Sequence, residues 1–260
     1  MWKRVFAIIG VLFLLNSPSV LGQGVLVASG HPEYPPSMWQ EGNKIVGIGA
    51  ELTKLIFEEH GITVQLVPFG NWKRVQQSAK DGKIDVIVGA YINEERKAYM
   101  HYPVNPYMDD PNVLWVLKGH IFPYNKWDDL ISKEGAATLG ESFGQDFDKF
   151  IKEKLSVSRV SKISQVFKLL EQKHVEYAPF GLYAGKIQAK KTGYHDKLEY
   201  IPKPVVSEGL YITLSKKSLF RDLLPQLEEG IMKYKENGTV EKLIDKYMNY
   251  YLEQQKIKNK

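Results

Sequence analysis

The chain predicts an α/β fold built as two doubly wound units joined by two crossings. Three observations predict it. Short apolar, β-rich runs alternate with stretches of helical periodicity, the signature of a mostly parallel sheet flanked by helices. Glycines stand where the helical runs stop. The alternation is interrupted near residue 112 and resumes from residue 209, so the chain leaves one unit and returns to it.

The first element is "GVLVAS", Gly24 to Ser29, a short apolar run suited to a buried strand. "GHPEYPPSMWQEGNKIVG" follows, a loop by its prolines and glycines, with a turn at Glu41-Gly42-Asn43. "GAELTKLIFEEHG" places Leu52, Leu55, Ile56 and His60 near one helical face and stops at Gly61. "ITVQLVPF" alternates and is β-rich. "NWKRVQQSAKDG" is a helix with Asn71 as candidate N-cap and Gly82 as stop, and "IDVIVGA" is the next strand.

The middle repeats the pattern. "AATLGESFG" is a strand running into a turn, and "QDFDKFIKEKL" is helical with Phe147, Phe150 and Ile151 on one face. "SKISQVFKLLEQK" is a helix with Ile163, Val166, Phe167 and Leu170 at helical spacing, and "HVEYAPFGLY" is a strand ending in a turn. It weakly echoes "KIDVIVGAY", where an acid also precedes the strand and a Gly-X-Tyr closes it. "SLFRDLLPQLEEGIMKYKENG" is expected as one helix stopped at Gly238, and "TVEKLIDKYMNYYLEQQ" as another with Thr239 as candidate N-cap. "NVLWVLKG" and "EGLYITLSKK" are the crossings, which gives a first lobe of residues 24–116 plus 209–260 and a second of 117–208. Two lobes on two strands form a hinge that closes on a ligand.

Composition bounds the chemistry. The 260 residues are 43% hydrophobic and 25% charged, an ordinary globular balance. The chain has no cysteine, which removes disulfides, thiolate nucleophiles and Cys-ligated zinc. No HExxH, phosphate loop or Ser-His-Asp spacing is present, and no metal or cofactor is expected. The net charge of +5 is not gathered into a stripe, so nucleic acid is not an expected partner. Residues 1–22 carry Lys3 and Arg4, then "VFAIIGVLFLL", then small residues to Gly22, the pattern of a secretory signal cleaved near Gly22. The expected location is the periplasm.

In doubly wound sheets ligands sit outside the carboxyl ends of the strands. "DVIVGAYINEER" ends a buried strand there and places Tyr91, Asn93 and Arg96 at the expected cleft. A guanidinium offers a planar fork of donors that fits a carboxylate in two parallel bonds. The alternative is an ion pair with Glu94 or Glu95 on a solvated turn.

"YPP" in the first loop, "GIGAEL" opening the first helix, Trp72 opening the second, then "GKIDVIVGAYINEER", "YPVNPYMDD" and "ENGTVEKLIDKY" follow in order along essentially the whole chain after residue 22. In that order and spacing the chain resembles the bacterial extracellular solute-binding proteins of family 3, the periplasmic receptors of polar amino-acid ABC importers. The resemblance implies a two-lobed, type II-like periplasmic binding protein. It implies that the strand ending at Ala90 presents backbone groups, and the turn presents Arg96, to a ligand carboxylate. The family's threonine in that turn is Asn93 here. Tyr34 and Trp72 match positions that flank the ligand, and Trp39 lies one step from such a position. The second-lobe turn maps onto Glu141-Ser142-Phe143, where the Ser142 hydroxyl and backbone N–H groups at a helix start suit an anion. The aspartate that pairs with an α-ammonium in such receptors falls at Gly181. That departure points to a carboxylate without a free amine, or to an amine met by Glu141 or Glu33.

The expected function is therefore a monomeric receptor for a small polar, carboxylate-bearing solute, delivered to a membrane importer permease by cleft closure. The alternatives are an enzyme on the same scaffold, like the periplasmic cyclohexadienyl dehydratases, with His31, Glu33, Glu141 and Glu176 as its acid/base groups, and a sensory ligand-binding module.

Overall fold

A computed structural model describes residues 24–258, with side chains described to residue 250. The signal sequence expected over residues 1–22 lies outside the described residues. No helix among the described residues is long and apolar enough to cross a membrane.

The first half opens with β1 (Val25–Ser29), β2 (Glu33–Tyr34), β3 (Met38–Glu41) and β4 (Lys44–Val46), then α1 (Ile48–Glu58), β5 (Thr63–Leu66), α2 (Trp72–Lys80), β6 (Val86–Ala90), the short α3 (Glu94–Lys97) and β7 (Met100–His101). β8 (Met108–Leu117) leads out. The second half holds β9 (Glu134–Thr138), α4 (Gln145–Lys154), β10 (Ser156–Val160), α5 (Ile163–Glu171), β11 (Ala178–Gly181) and α6 (Leu182–Lys191). β12 (Leu198–Ser215) leads back to α7 (Leu224–Glu236) and α8 (Thr239–Lys258).

β1 pairs in parallel with β5 and β6, as the alternation predicts. The crossings are longer than the sequence suggested. β8 begins at Met108, and the 18-residue β12 runs antiparallel to β8, with a register shift between Ile201 and Val206. β12 then pairs with β6, so one sheet in the order β11-β8-β12-β6-β1-β5 spans both halves. The second half adds the parallel pair β9–β10, bridged to the β11 segment at Gly135 and Tyr177.

Two expectations need correction, and one strand, β10, was not expected at all. The first loop is not irregular throughout: β2, β3 and β4 form a small meander, and the expected turn at Gly42 joins β3 to β4 with φ 59°. "SVSRV", which lacks an apolar face pattern, forms β10 because β9 offers it a parallel partner. α6 starts directly at Leu182, where the sequence suggested only a turn. Its apolar residues are interspersed with lysines and a glutamine and form no stripe, so it shows little periodicity.

The largest apolar cluster runs through both halves, and another lies within the second. Leu26, Val86, Val88, Ile212 and Leu214 of the sheet lie under Leu52, Ile56 and Phe57 of α1 and Leu227 and Ile231 of α7. Leu114, Val116, Phe147, Tyr177 and Ile201 centre the second. Each fully buried side chain of this size contributes about 1.5–3 kcal/mol. These cores make rigid platforms, and the residues that matter next stand on the loops between them.

Candidate functional site: a buried arginine between the two halves

All five residues of β6 are buried, and the chain leaves the sheet at Tyr91. Asn93 is extended and caps α3, its Oδ1 accepting the backbone N–H of Arg96 at 2.8 Å. That cap turns the Arg96 side chain back toward the strand end. Nη1 donates to the Tyr91 carbonyl at 2.9 Å, Nη2 to the Gly140 carbonyl at 3.1 Å and Nε to Gln76 Oε1 at 3.3 Å. The guanidinium carbon lies 5.3 Å from the centre of the Trp72 ring. Arg96 is 3% exposed, yet its partners are two carbonyls and an amide, not its neighbouring acids. Glu94 pairs with Lys97 at 2.9 Å instead. Three of the five guanidinium N–H groups are used by these bonds.

Arg96 forms part of the wall between two spaces. One is an internal cavity of about 20 Å³ lined by His31, Tyr34, Trp72, Ala90, Tyr91 and Glu141, among others. It has room for about one water. The other is a cleft of about 390 Å³ between the halves, lined by Lys73, Gln76, Asn93, Ser142, Asp148 and Arg159 as well as Arg96 and Glu141.

The cavity is polar on one side. His31 Nδ1 accepts the Glu33 backbone N–H at 2.9 Å, so the neutral ring carries its proton on Nε2. Nε2 lies 2.9 Å from Glu141 Oε1, at ion-pair distance, though the N–H is out of line for a hydrogen bond. Glu141 Oε1 also accepts the Thr138 hydroxyl at 2.9 Å. Burial pushes the Glu141 carboxyl up, but His31, Thr138 and Arg96 together hold it below its ordinary value. Trp72, on the same wall, keeps a buried indole N–H with no acceptor.

Behind the tyrosines lies Asp110, near the start of β8 and 1% exposed. The Tyr34 and Tyr91 hydroxyls each donate to its Oδ2 at 2.6 Å and approach each other to 2.6 Å. Asn112 donates to the Tyr91 hydroxyl at 3.0 Å. Burial pushes the Asp110 carboxyl up to about 6; the two tyrosine bonds oppose this and the Glu141 charge adds to it. Nothing at the sequence level singled Asp110 out, since "MDD" ahead of a strand is common in solvated loops. Gly181 now has a physical reason. A Cβ there would lie 2.1 Å from the Tyr34 hydroxyl and 3.2 Å from Asp110 Oδ2, so no side chain fits.

Arg96, Tyr34, Trp72, Ala90 and Tyr91 come together at the cavity, and Asn93 and Ser142 at the cleft. Two expectations fail on geometry. Trp39 turns away and packs with Ile187 under Tyr247 and Tyr250, its ring 5.5 Å from that of Tyr247. The Ser142-Phe143 turn already holds an anion of the protein's own. Asp148 accepts the Ser142 hydroxyl and, at 2.8 Å, the Phe143 backbone N–H. The Phe143 ring is buried against Phe147 in the second core. Ser142 instead accepts a bond from Asn93 Nδ2 across the cleft at 2.8 Å.

The profile of the bacterial extracellular solute-binding proteins, family 3, matches residues 26–250. No curated protein matches the chain by sequence. Among solved structures, a mutant of ArgBP from T. maritima is similar at 25% identity and a TM-score of 0.72, over 87% of this chain and 96% of that one. The amino acid ABC transporter substrate-binding protein AbpA from Streptococcus pneumoniae, bound to L-arginine, is similar at 24% identity and a TM-score of 0.71, over 88% and 96%. A histidine kinase sensor domain with similarity to periplasmic binding proteins aligns at 19% identity and a TM-score of 0.73, over 86% and 96%; it shares the fold.

Proposed function

The chain belongs to family 3 of the bacterial extracellular solute-binding proteins, and from that premise we propose that it is a periplasmic receptor for a small carboxylate-bearing, amino-acid-like solute which it delivers to an ABC importer. The observation that carries this reading is Arg96. A buried guanidinium, anchored on one carbonyl from each half and backed by Trp72, has donors to spare beside a cleft. A solute carboxylate is the group that satisfies them, and the unpartnered Trp72 N–H offers it a further donor.

Glu141 gives the same site a negative pole opposite Arg96. It is the acid we assign to a solute amine, in place of an acid at position 181. Similarity to ArgBP and to AbpA bound to L-arginine agrees with a zwitterionic solute. The lobes are proposed as residues 24–116 with 209–260, and 117–208, with β8 and β12 as the hinge. A solute that touches Arg96 on one lobe and Glu141 on the other favours the closed form, because only differential contact shifts such an equilibrium.

Isothermal titration of the exported protein against the standard amino acids and small carboxylates tests this. At least one is expected to bind, and Arg96→Ala to abolish or sharply weaken it. Equal affinity in that variant overturns the role of Arg96. His31 and Glu141 are also acid/base groups inside the cavity, so incubation with arogenate and prephenate is the control for the dehydratase alternative. Turnover there would replace the receptor reading.

A further inference from the structure

The Tyr34, Tyr91 and Asp110 oxygens form a triangle with every edge at 2.6 Å. Each edge of that length needs a proton between its oxygens. The two phenols supply two. With Asp110 ionised, both hydroxyls turn to Oδ2 and the Tyr34–Tyr91 edge faces lone pair to lone pair. A third proton on Oδ2 completes the ring: Tyr34 donates to Tyr91, Tyr91 to Asp110, and Asp110 to Tyr34. The Asn112 amide already donates to the Tyr91 oxygen, so it leaves that third edge unfilled.

The charges around Asp110 agree. From β2 it faces Tyr34, from the end of β6 Tyr91, from the segment before β8 Tyr107, and from the loop after β9 Glu141, with His31 beyond. Its neighbour across the strand pair on β12 is Glu208. Among the described residues no basic side chain forms an ion pair with it. A buried, unpaired carboxylate beside a second carboxylate is costly, and a proton is the least demanding remedy.

The seal over the triangle comes from the other half. The backbone of Gly181 lies against the Tyr34 hydroxyl, and Phe180 packs edge-on to the Tyr34 ring at 5.2 Å. Glu141 belongs to that half too. β11 is paired with β8 beside Asp110, Gly181 opposite Asn112, so separating the halves parts Tyr34 from Gly181 and Phe180 and opens that side of the triangle.

We infer that Asp110 is a proton-carrying positioning residue: closing of the cleft draws one proton from solvent onto its carboxylate, and that proton locks the two cavity tyrosines in place. This rests on the reading of the cleft as a site that closes, and it adds proton uptake to the binding reaction in the window between about pH 4 and pH 6. If opening returns the carboxyl from about 6 to its ordinary value of 3.8, the closing equilibrium shifts by roughly 60-fold between pH 4 and pH 8, in favour of closure at low pH.

The test needs no solute. Infrared difference spectra of the full chain without added solute, stepped from pH 4 to pH 8, are expected to show a protonated-carboxyl C=O band that disappears with a midpoint near 6. The band is absent in Asp110→Asn, and its midpoint falls in Glu141→Gln, which removes the like charge. In parallel, the small-angle scattering radius of the parent shrinks as pH falls through the same window, and that of Asp110→Asn does not. Circular dichroism confirms that both variants fold. A midpoint near 4, no such band, or an unchanged radius profile in Asp110→Asn overturns the inference. None of those results bears on whether a solute binds, so the receptor reading stands or falls separately.

Discussion

Arg96 illustrates how far one residue can be argued. Its side chain is inaccessible to solvent and uncompensated by any acid of its own turn, and its planar fork is held by carbonyls that leave donors unspent. A charge-assisted bond contributes about 1.5–3 kcal/mol net. Arg96→Ala is therefore expected to weaken solute affinity by roughly 10- to 150-fold, read by isothermal titration. Arg96→Lys is expected to recover only part, because an ammonium keeps the charge but not the fork. Asp110 makes a prediction of the opposite kind, on stability rather than affinity. Its carboxyl is raised to about 6 in the folded chain, against an ordinary value of 3.8. Between those values the folded state holds a proton that the unfolded chain has released. Its contribution is full below about pH 4, declines as pH rises through about 6 and is flat above, a loss on the order of 3 kcal/mol. The difference in urea-unfolding free energy between the parent and Asp110→Asn, followed from pH 4 to pH 7, isolates that slope. A difference that does not change with pH would mean the carboxyl is not raised. Arg96 was legible in the sequence because a buried strand ended on it. Asp110 was not, because its burial depends on two tyrosines from distant segments and a glycine on another strand.

At the scale of elements, legibility followed the strength of the local pattern. α1, α2, α4 and α5 carry apolar residues at helical spacing and formed where expected. β10 and α6 lack such a stripe and owe their form to partners: β9 for the one, the sheet under Ala184 and Ala189 for the other. The same distinction separates the site residues. Tyr34, Trp72, Ala90 and Tyr91 follow from being at strand and helix ends that converge. Trp39 sits in the same loop as Tyr34, but its strand β3 alternates faces and delivers it to the C-terminal helix. The junction of β11 and α6 offers an element-level prediction. Gly181→Ala would place a methyl 2.1 Å from the Tyr34 hydroxyl, nearer than atoms can approach, so Tyr34 and β11, which meet between the halves, must part. The helices and strands themselves are untouched, so circular dichroism is expected to be unchanged while the scattering radius increases. Tyr34→Phe in the same background removes that hydroxyl and is expected to restore part of the compact radius.

The whole molecule is governed by what one half says to the other. Beside the shared sheet and the apolar contacts of Phe180 with Tyr34 and Ile187 with Trp39, polar bonds join the halves. Asn93 bonds Ser142, Gln76 and Arg96 bond the Gly140 carbonyl, and His31 faces Glu141. At the margins the Glu94 N–H donates to Gln145 at 3.1 Å, and the Ile163 N–H at the start of α5 donates to Glu33 at 3.1 Å. Polar contacts of this kind exchange readily for water, so they bias the closed form without fixing it. Affinity for a solute that needs the closed form then equals the intrinsic affinity scaled by the closed fraction. This separates residues that grip the solute from residues that merely favour closure. Glu33 and Gln145 line neither the cavity nor the cleft. Replacing both with alanine removes two bonds between the halves, each worth about 1 kcal/mol. Provided the closed form is in the minority before the solute arrives, affinity is expected to fall by about 30-fold. The loss should come without change in which solutes bind, and the solute-free radius should increase. Arg96→Ala, in contrast, acts chiefly on the solute itself. If the double variant bound its solute as tightly as the parent, closure would be driven by the solute alone, and the bonds at the margins would be incidental to it.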